Sequence, residues 1–205
     1  MKSEKIRFYI IRHGQTEWNN ASRWQGSKDI PLDDVGVDQA KVVAERLTNA
    51  GIKHIYSSPL MRASRTAEIV QEKIKADITY DEGLKEVRLG EWEGCTKEEI
   101  AVKHGEKFLQ WQTESNAEIG MGVENNFNLQ QRVLQTTESI CKSEQDTFLI
   151  VTHGAWTRAL ICKILDIPMK NRMLFEIKNT GVSIIEYDRN GNSFDIVTIN
   201  DMCHL

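Results

Sequence analysis

The sequence predicts an α/β fold: one domain over residues 1–205, with a mainly parallel central sheet covered by helices on both faces. Three observations predict it. Short apolar runs alternate with amphipathic helical stretches for most of the chain, the order that parallel strands joined by helices require. The most apolar run, Thr147–Thr152, shows no polar alternation, so both faces of that strand are expected to be covered. Two final strand-like stretches are separated by Arg189-Asn190-Gly191-Asn192, a hairpin turn that makes at least one pair antiparallel.

Residues 6–11 are apolar, with a branched and aromatic bias, and stop at Arg12-His13-Gly14: a buried strand and a tight loop. After Asp33, a helix N-cap, Val35, Ala40, Val43, Ala44 and Leu47 recur at helical spacing, with Gly51 as the stop. His54–Ser57 predicts a second strand leading into Ser58-Pro59. Met61–Ile74 predicts a helix whose buried side carries Ala63, Ala67, Ile69 and Val70. Residues 77–94 begin as a strand and become a charged, glycine-containing loop. Residues 96–103 and Asn126–Cys141 predict helices, while residues 108–123 between them have no clear period. His153-Gly154 follows the strand Thr147–Thr152, then a helix over 155–165 and the closing strands over 183–188 and 193–200. No linker, composition break or repeat interrupts this order.

Composition is 40% hydrophobic and 27% charged, which excludes disordered, collagen-like and disulfide-scaffold chains. With 26 Lys and Arg against 30 Asp and Glu the formal charge is −4, so neither nucleic acid nor an anionic membrane is an expected partner. Any bound anion must be caught by a local cluster of positive groups. No stretch approaches the roughly 18 apolar residues that cross a bilayer. Met1-Lys2-Ser3-Glu4-Lys5 runs into the first strand without the apolar region of a signal peptide. Cys95, Cys141, Cys162 and Cys203 lie far apart, so reduced thiols and a cytoplasmic setting are expected.

Two apolar strands end in a His-Gly pair: Ile11-Arg12-His13-Gly14 and Val151-Thr152-His153-Gly154. In open α/β sheets ligands bind at the carboxyl ends of strands, where the strand order reverses, so both histidines sit where a site is expected. Arg12 adjoins His13, and Arg62 opens the helix after the second strand. Guanidinium forks match phosphate oxygens and stay charged. Arg62 also opposes the dipole of its helix, a placement that a bound anion would offset.

Arg12-His13-Gly14-Gln15-Thr16-Glu17-Trp18-Asn19 resembles the signature of the histidine phosphatase superfamily, also called phosphoglycerate mutase-like. Ser58-Pro59-Leu60-Met61-Arg62-Ala63 resembles its second motif, Leu84-Lys85-Glu86 with Gly90-Glu91-Trp92-Glu93-Gly94 its third, and Thr152-His153-Gly154 its fourth. Asn179-Thr180-Gly181-Val182-Ser183 is similar to the lead-in of the family's last central strand. The resemblance implies that His13 attacks phosphorus and becomes a phosphohistidine. It implies that Arg12, Arg62 and His153 bind the phosphoryl oxygens and that Glu86 gives a proton to the leaving oxygen. Asn19, Gln25, Gly26, Gly154 and Ala155 match positions that line or touch the substrate.

The chemistry needs these residue types. A neutral imidazole is a competent nucleophile when its other nitrogen is held as a donor. Fixed positive groups must match the equatorial oxygens, and an alkoxide leaving group needs a proton. No metal or other cofactor is expected. After Glu86 the chain reads Val87-Arg88-Leu89-Gly90, without the Arg-His-Tyr-Gly run and later arginine pair of the family's mutases. The resemblance therefore favours hydrolysis of a small phosphorylated metabolite over a cofactor-dependent mutase or a catalytically silent phosphate-binding module. Residues 107–127 are expected to form a variable cap, and Trp24 and Trp111 are candidates to line the pocket. The sequence sets neither the individual substrate nor the oligomeric state, a homodimer included.

Overall fold

In β1 (Lys5–Arg12), Ile6, Phe8 and Ile10 enter one apolar cluster and Ile11 enters another on the opposite face. β4 (Thr147–Thr152) repeats the division, with Phe148 and Ile150 on one side and Leu149 and Val151 on the other. Such two-sided burial explains why β4 shows no polar alternation; β1 alternates through Lys5-Ile6-Arg7-Phe8 and becomes continuously apolar only towards Ile10 and Ile11. The two lie side by side and parallel, with Arg12 opposite Thr152. The computed structural model describes residues 4–205; Met1, Lys2 and Ser3, the start of the stretch read for a signal peptide, lie outside the described residues.

Four more strands complete the sheet: β2 (His54–Ser57), β3 (Asp77–Tyr80), β5 (Val182–Asp188) and β6 (Ser193–Asp201), in the order β3-β2-β4-β1-β5-β6. β3, β2, β4 and β1 are mutually parallel. β5 runs antiparallel to both β1 and β6, so it alone is reversed and the sheet is mainly parallel as expected. In the closing turn Asp188 Oδ1 accepts from the backbone N–H groups of Asn190 and Gly191.

α2 (Asp34–Leu47) and α3 (Met61–Ile74) cover the face that carries Ile11 and Val151. α4 (Lys97–Thr113), α5 (Asn126–Cys141) and α6 (Gly154–Ile164) cover the face that carries Phe8 and Ile150. The chain thus leaves β1 for one face and leaves the adjacent β4 for the other. A crevice opens over the carboxyl ends of such a pair. Gly14, just past β1, abuts the backbone of Gly36 in α2, and a Cβ on either residue would collide with the other segment's carbonyl oxygen. That contact fixes the loop after β1 against the helix.

Three local differences from the sequence expectations have physical causes. α4 does not stop near residue 103: after a break at His104 (φ −136°, ψ 30°) it resumes to Thr113. Its second half carries no regular period because an aromatic cluster orders it, Phe108 and Trp111 each meeting Trp92 edge-on. α2 ends at Leu47, where Thr48 Oγ1 donates to the Ala44 carbonyl, so Gly51 falls in the following turn. A short helix, α1 (Glu17–Asn20), follows the His13 loop and is started by a Thr16/Asn19 capping box. Among the described residues no helix is long and apolar enough to cross a membrane.

Candidate active site

β1 and β4 end beside each other, and the His13 N–H donates to the Thr152 carbonyl at 3.0 Å. The His13 and His153 rings consequently sit with centroids 5.2 Å apart. His13 Nδ1 lies 2.7 Å from the carbonyl oxygen of Gly14. A carbonyl only accepts, so Nδ1 carries the hydrogen and Nε2 is left with its lone pair. Asn179 Nδ2 donates to the His13 carbonyl at 2.8 Å and to Asn19 Oδ1 at 3.2 Å, which braces the loop from the lead-in to β5.

His153 is fully buried, and its Nε2 lies 2.8 Å from Ser58 Oγ. Ser58 Oγ already accepts from the Leu60 N–H, so its own hydrogen is available to His153 Nε2. With Ser58 Oγ–H donating to Nε2, the imidazole hydrogen is placed on Nδ1, a buried atom that has no hydrogen-bond partner among the described residues.

Arg62 is fully buried at the start of α3. Its Nη1 and Nη2 donate to the carbonyls of Lys28 at 2.7 Å and Gly26 at 2.8 Å. Asp29 Oδ1 accepts from the Met61 N–H at 2.6 Å and takes the place of the missing helix cap. The loop carrying Gln25 and Gly26 is thereby stapled to α3. Arg12 Nη1 donates to the Ile177 carbonyl at 2.9 Å. The Nε atoms of Arg12 and Arg62 are both buried and have no hydrogen-bond partner among the described residues. Three orphaned donors, those two and His153 Nδ1, therefore surround a neutral His13. Buried donors are nearly always paired, and a phosphoryl group would supply the missing acceptors.

Burial, reinforced by the charges of Arg62 and Arg12, holds the His13 imidazole well below its ordinary value of 6.5. Burial is also the main cause of the depression at His153, followed by Arg62. The unfolded chain takes up protons at these histidines near pH 6.5 and the folded chain does not. The associated stability is thus fully present above that pH and is lost as pH falls through and below it. The thermal midpoint of ligand-free protein should drop between about pH 7 and pH 5; a flat profile would contradict two neutral buried histidines. Burial brings Arg12 and Arg62 down to about 10, which leaves both charged at neutral pH.

Glu86 faces the same pocket from the loop after β3. The Ala155 N–H, at the start of α6, donates to both carboxylate oxygens at 3.2 Å, and the Val87 N–H donates to Oε1 at 3.0 Å. The loop itself is held by Arg132 of α5, which donates to the carbonyls of Gly83 at 2.9 Å and Lys85 at 2.7 Å. Arg132 also forks onto Glu124, at 3.2 and 3.0 Å. The Glu124 side chain is 2% exposed. Removing one partner of a buried pair strands the other, so Arg132→Met should cost about 3–5 kcal/mol of stability, read by urea unfolding. It should also slow turnover by loosening the Glu86 loop.

The pocket above these groups is about 680 Å³ in volume. It brings together Arg12, His13, Asn19, Gln25, Gly26, Arg62, Glu86, Gly154 and Ala155, nine of the ten residues singled out from the sequence. The tenth, His153, sits beneath them against His13. Asn19 Oδ1 accepts from Thr16, so its NH₂ is the end presented to a ligand. Trp24 and Trp111 line the wall as expected, and Trp18 joins them. Trp92 and Trp156 are core residues.

Sequence reading missed the pocket's outer cations, Arg158, Lys170 and Arg172, together with Lys97 and with Arg23, which pairs with Glu99 at 3.2 Å. The mutase-type run is absent from the sequence, but α6 and the turn Met169–Leu174 deliver other basic residues to the same pocket. Arg158 had a signal, because it lies one helical turn after Gly154. Lys170 and Arg172 had none. Ser58 and Asn179 were visible only as parts of motifs.

A family model described as histidine phosphatase superfamily (branch 1) matches residues 8–201. Phosphoserine phosphatase 1 of Hydrogenobacter thermophilus is 30% identical over 201 residues, which cover 98% of this chain and 94% of that protein. The Proteus mirabilis protein named "Probable phosphoglycerate mutase GpmB" is 32% identical over 209 residues, 98% and 95% of the two chains. Among solved structures, Bacillus stearothermophilus YhfR superposes with a TM-score of 0.88 at 34% identity, covering 97% of this chain and 98% of that one. The Entamoeba histolytica phosphoserine phosphatase in complex with 3-phosphoglyceric acid gives a TM-score of 0.84 at 28% identity, covering 98% and 99%.

Proposed function

The chain belongs to the histidine phosphatase superfamily, and from that premise we propose that it is a metal-independent phosphomonoesterase that works through a phosphohistidine at His13. The observation that carries this reading is the set of three orphaned buried donors around a neutral imidazole with a free Nε2.

In the first step His13 Nε2 attacks phosphorus. A P–N bond forms as the P–O bond to the leaving group breaks. Arg12, Arg62 and His153 Nδ1 hold the three equatorial oxygens, whose charge is met by groups already in position. Glu86 transfers its proton to the departing oxygen. In the second step water attacks the phosphohistidine and gives a proton to Glu86; the P–N bond breaks and phosphate leaves. The Gly14 carbonyl accepts from Nδ1–H throughout and steadies the imidazole as positive charge develops on it. All of the positive charge in this scheme comes from side chains, so EDTA should leave the rate unchanged.

The substrate is a small phosphorylated metabolite, and residues 107–127 act as a cap within one functional unit. The phosphoserine phosphatases among the relatives support hydrolysis. The four cysteines are free thiols and support a cytoplasmic setting.

A mutase is the second reading, favoured by the outer basic residues and by the Proteus mirabilis relative. Incubation with 3-phosphoglycerate, with and without 2,3-bisphosphoglycerate, separates the two. Phosphate released as fast as substrate disappears is the expected result. Rapid formation of 2-phosphoglycerate with negligible phosphate would establish the mutase instead.

A further inference from the structure

A general acid works only when its carboxyl meets the leaving oxygen at hydrogen-bond distance. Glu86, however, sits within residues 85–88, a stretch with neither helix nor strand. Its placement must therefore come from groups outside the loop. The carbonyls just before it are captured one by one. Gly83 accepts from Trp156 Nε1 of α6 and from Arg132 Nη1 of α5, both at 2.9 Å. Lys85 accepts from Arg132 Nη1 at 2.7 Å. Between them, Leu84 accepts from Thr152 Oγ1 of β4 at 2.8 Å.

Arg132 and Trp156 have other tasks in the fold: Arg132 pairs with the buried Glu124, and Trp156 fills the core. Thr152 has a narrower one. Strand alternation puts it on the same face of β4 as Ile150, the face against which Leu84 packs. A valine would fill such a site with the same shape. Thr152 is 0% exposed, and a hydroxyl buried there is unfavourable unless it is bonded; its bond goes to the Leu84 carbonyl. The Leu84 side chain is itself fully buried, so the loop is pinned two residues before Glu86. Thr152 also meets the other catalytic groups. Its carbonyl accepts from the His13 N–H at 3.0 Å, and its own peptide bond leads to His153. One residue thus joins the general-acid loop to the nucleophile and to a phosphoryl donor.

We propose that Thr152 is a positioning residue for general-acid catalysis: its hydroxyl pins the Leu84 carbonyl and so sets where the Glu86 carboxyl stands relative to His13. The assignment rests on the phosphatase reading with Glu86 as the acid, and the test keeps the two apart.

Thr152→Val keeps the shape of the side chain and removes the donor. The backbone bond from the His13 N–H survives it, so attack on phosphorus should persist. On an alkyl phosphate the first step, read in a single turnover, should slow by about 10- to 100-fold, part of the roughly 10²–10⁴-fold that a general acid supplies. On p-nitrophenyl phosphate it should slow several-fold at most. Calorimetry should give an unchanged Kd for inorganic phosphate. Thr152→Ser restores the hydroxyl and should restore the alkyl rate. In a Glu86→Gln background Thr152→Val should add almost nothing, because the group it acts through is already gone. Should Thr152→Val fail to fold, Thr152→Ala removes the same hydroxyl without adding bulk and is read in the same way. Equal losses on both substrates, no rescue by Ser, or full additivity with Glu86→Gln would overturn the assignment. A leaving-group effect of Glu86→Gln on its own would then keep the general acid standing. Equal losses for Glu86→Gln itself would remove the general acid, and the role of Thr152 with it.

Discussion

His13→Ala should lose turnover by about 10⁴–10⁶-fold, the scale of loss when a covalent nucleophile is deleted from an assembled site. The phosphoryl-binding donors remain in this variant, so it should still bind phosphate or a phosphomonoester. The contacts that build the loop are backbone ones, from the His13 N–H to Thr152 and from Asn179 to the His13 carbonyl, and they survive the substitution. The variant should therefore keep its circular dichroism spectrum and cooperative unfolding. A folded His13→Ala protein that retained even a tenth of wild-type kcat would show that another group attacks phosphorus.

Glu86→Gln carries the second large effect, and its size should depend on the leaving group. Gln can keep an acceptor for the Ala155 N–H, so the loop stays in place while the transferable proton is lost. For an alkyl phosphate, whose alkoxide leaves poorly, the first step should slow by about 10²–10⁴-fold. For p-nitrophenyl phosphate, whose phenolate leaves unaided, the loss should be small. Single-turnover measurement isolates the first step. Equal losses on both substrates would remove Glu86 from the role of general acid.

Much of this arrangement was legible in the sequence, for a physical reason. His13 and His153 each follow an apolar strand, and strands bounded by sharp loops are marked by composition over a few residues. Once β1 and β4 are adjacent and parallel, the two His-Gly pairs must meet. Arg62 was legible from an electrostatic mismatch with its own helix. The less legible residues depend on contacts distant in sequence. Ser58 matters because His153, 95 positions later, needs a partner for Nε2. Arg132 matters because the Glu86 loop exposes carbonyls toward α5. Arg172 reaches the pocket through a short turn stacked on Trp111, and no periodicity announces such a contact. The second half of α4 was missed because its order comes from aromatic packing around Trp92 and not from a regular apolar stripe.

The most direct test of the account is to trap the phosphoenzyme and identify the atom that carries phosphorus. Protein mixed with a phosphate-labelled substrate is quenched in base within one turnover, digested and mapped, and the phosphohistidine isomer is read by phosphorus NMR. Because the Gly14 carbonyl engages Nδ1, the label should sit on His13 as the Nε2 isomer, be lost in acid, and be absent from His13→Ala. Label on any other residue, an Nδ1 isomer, or full turnover with no trapped phosphoenzyme would contradict it.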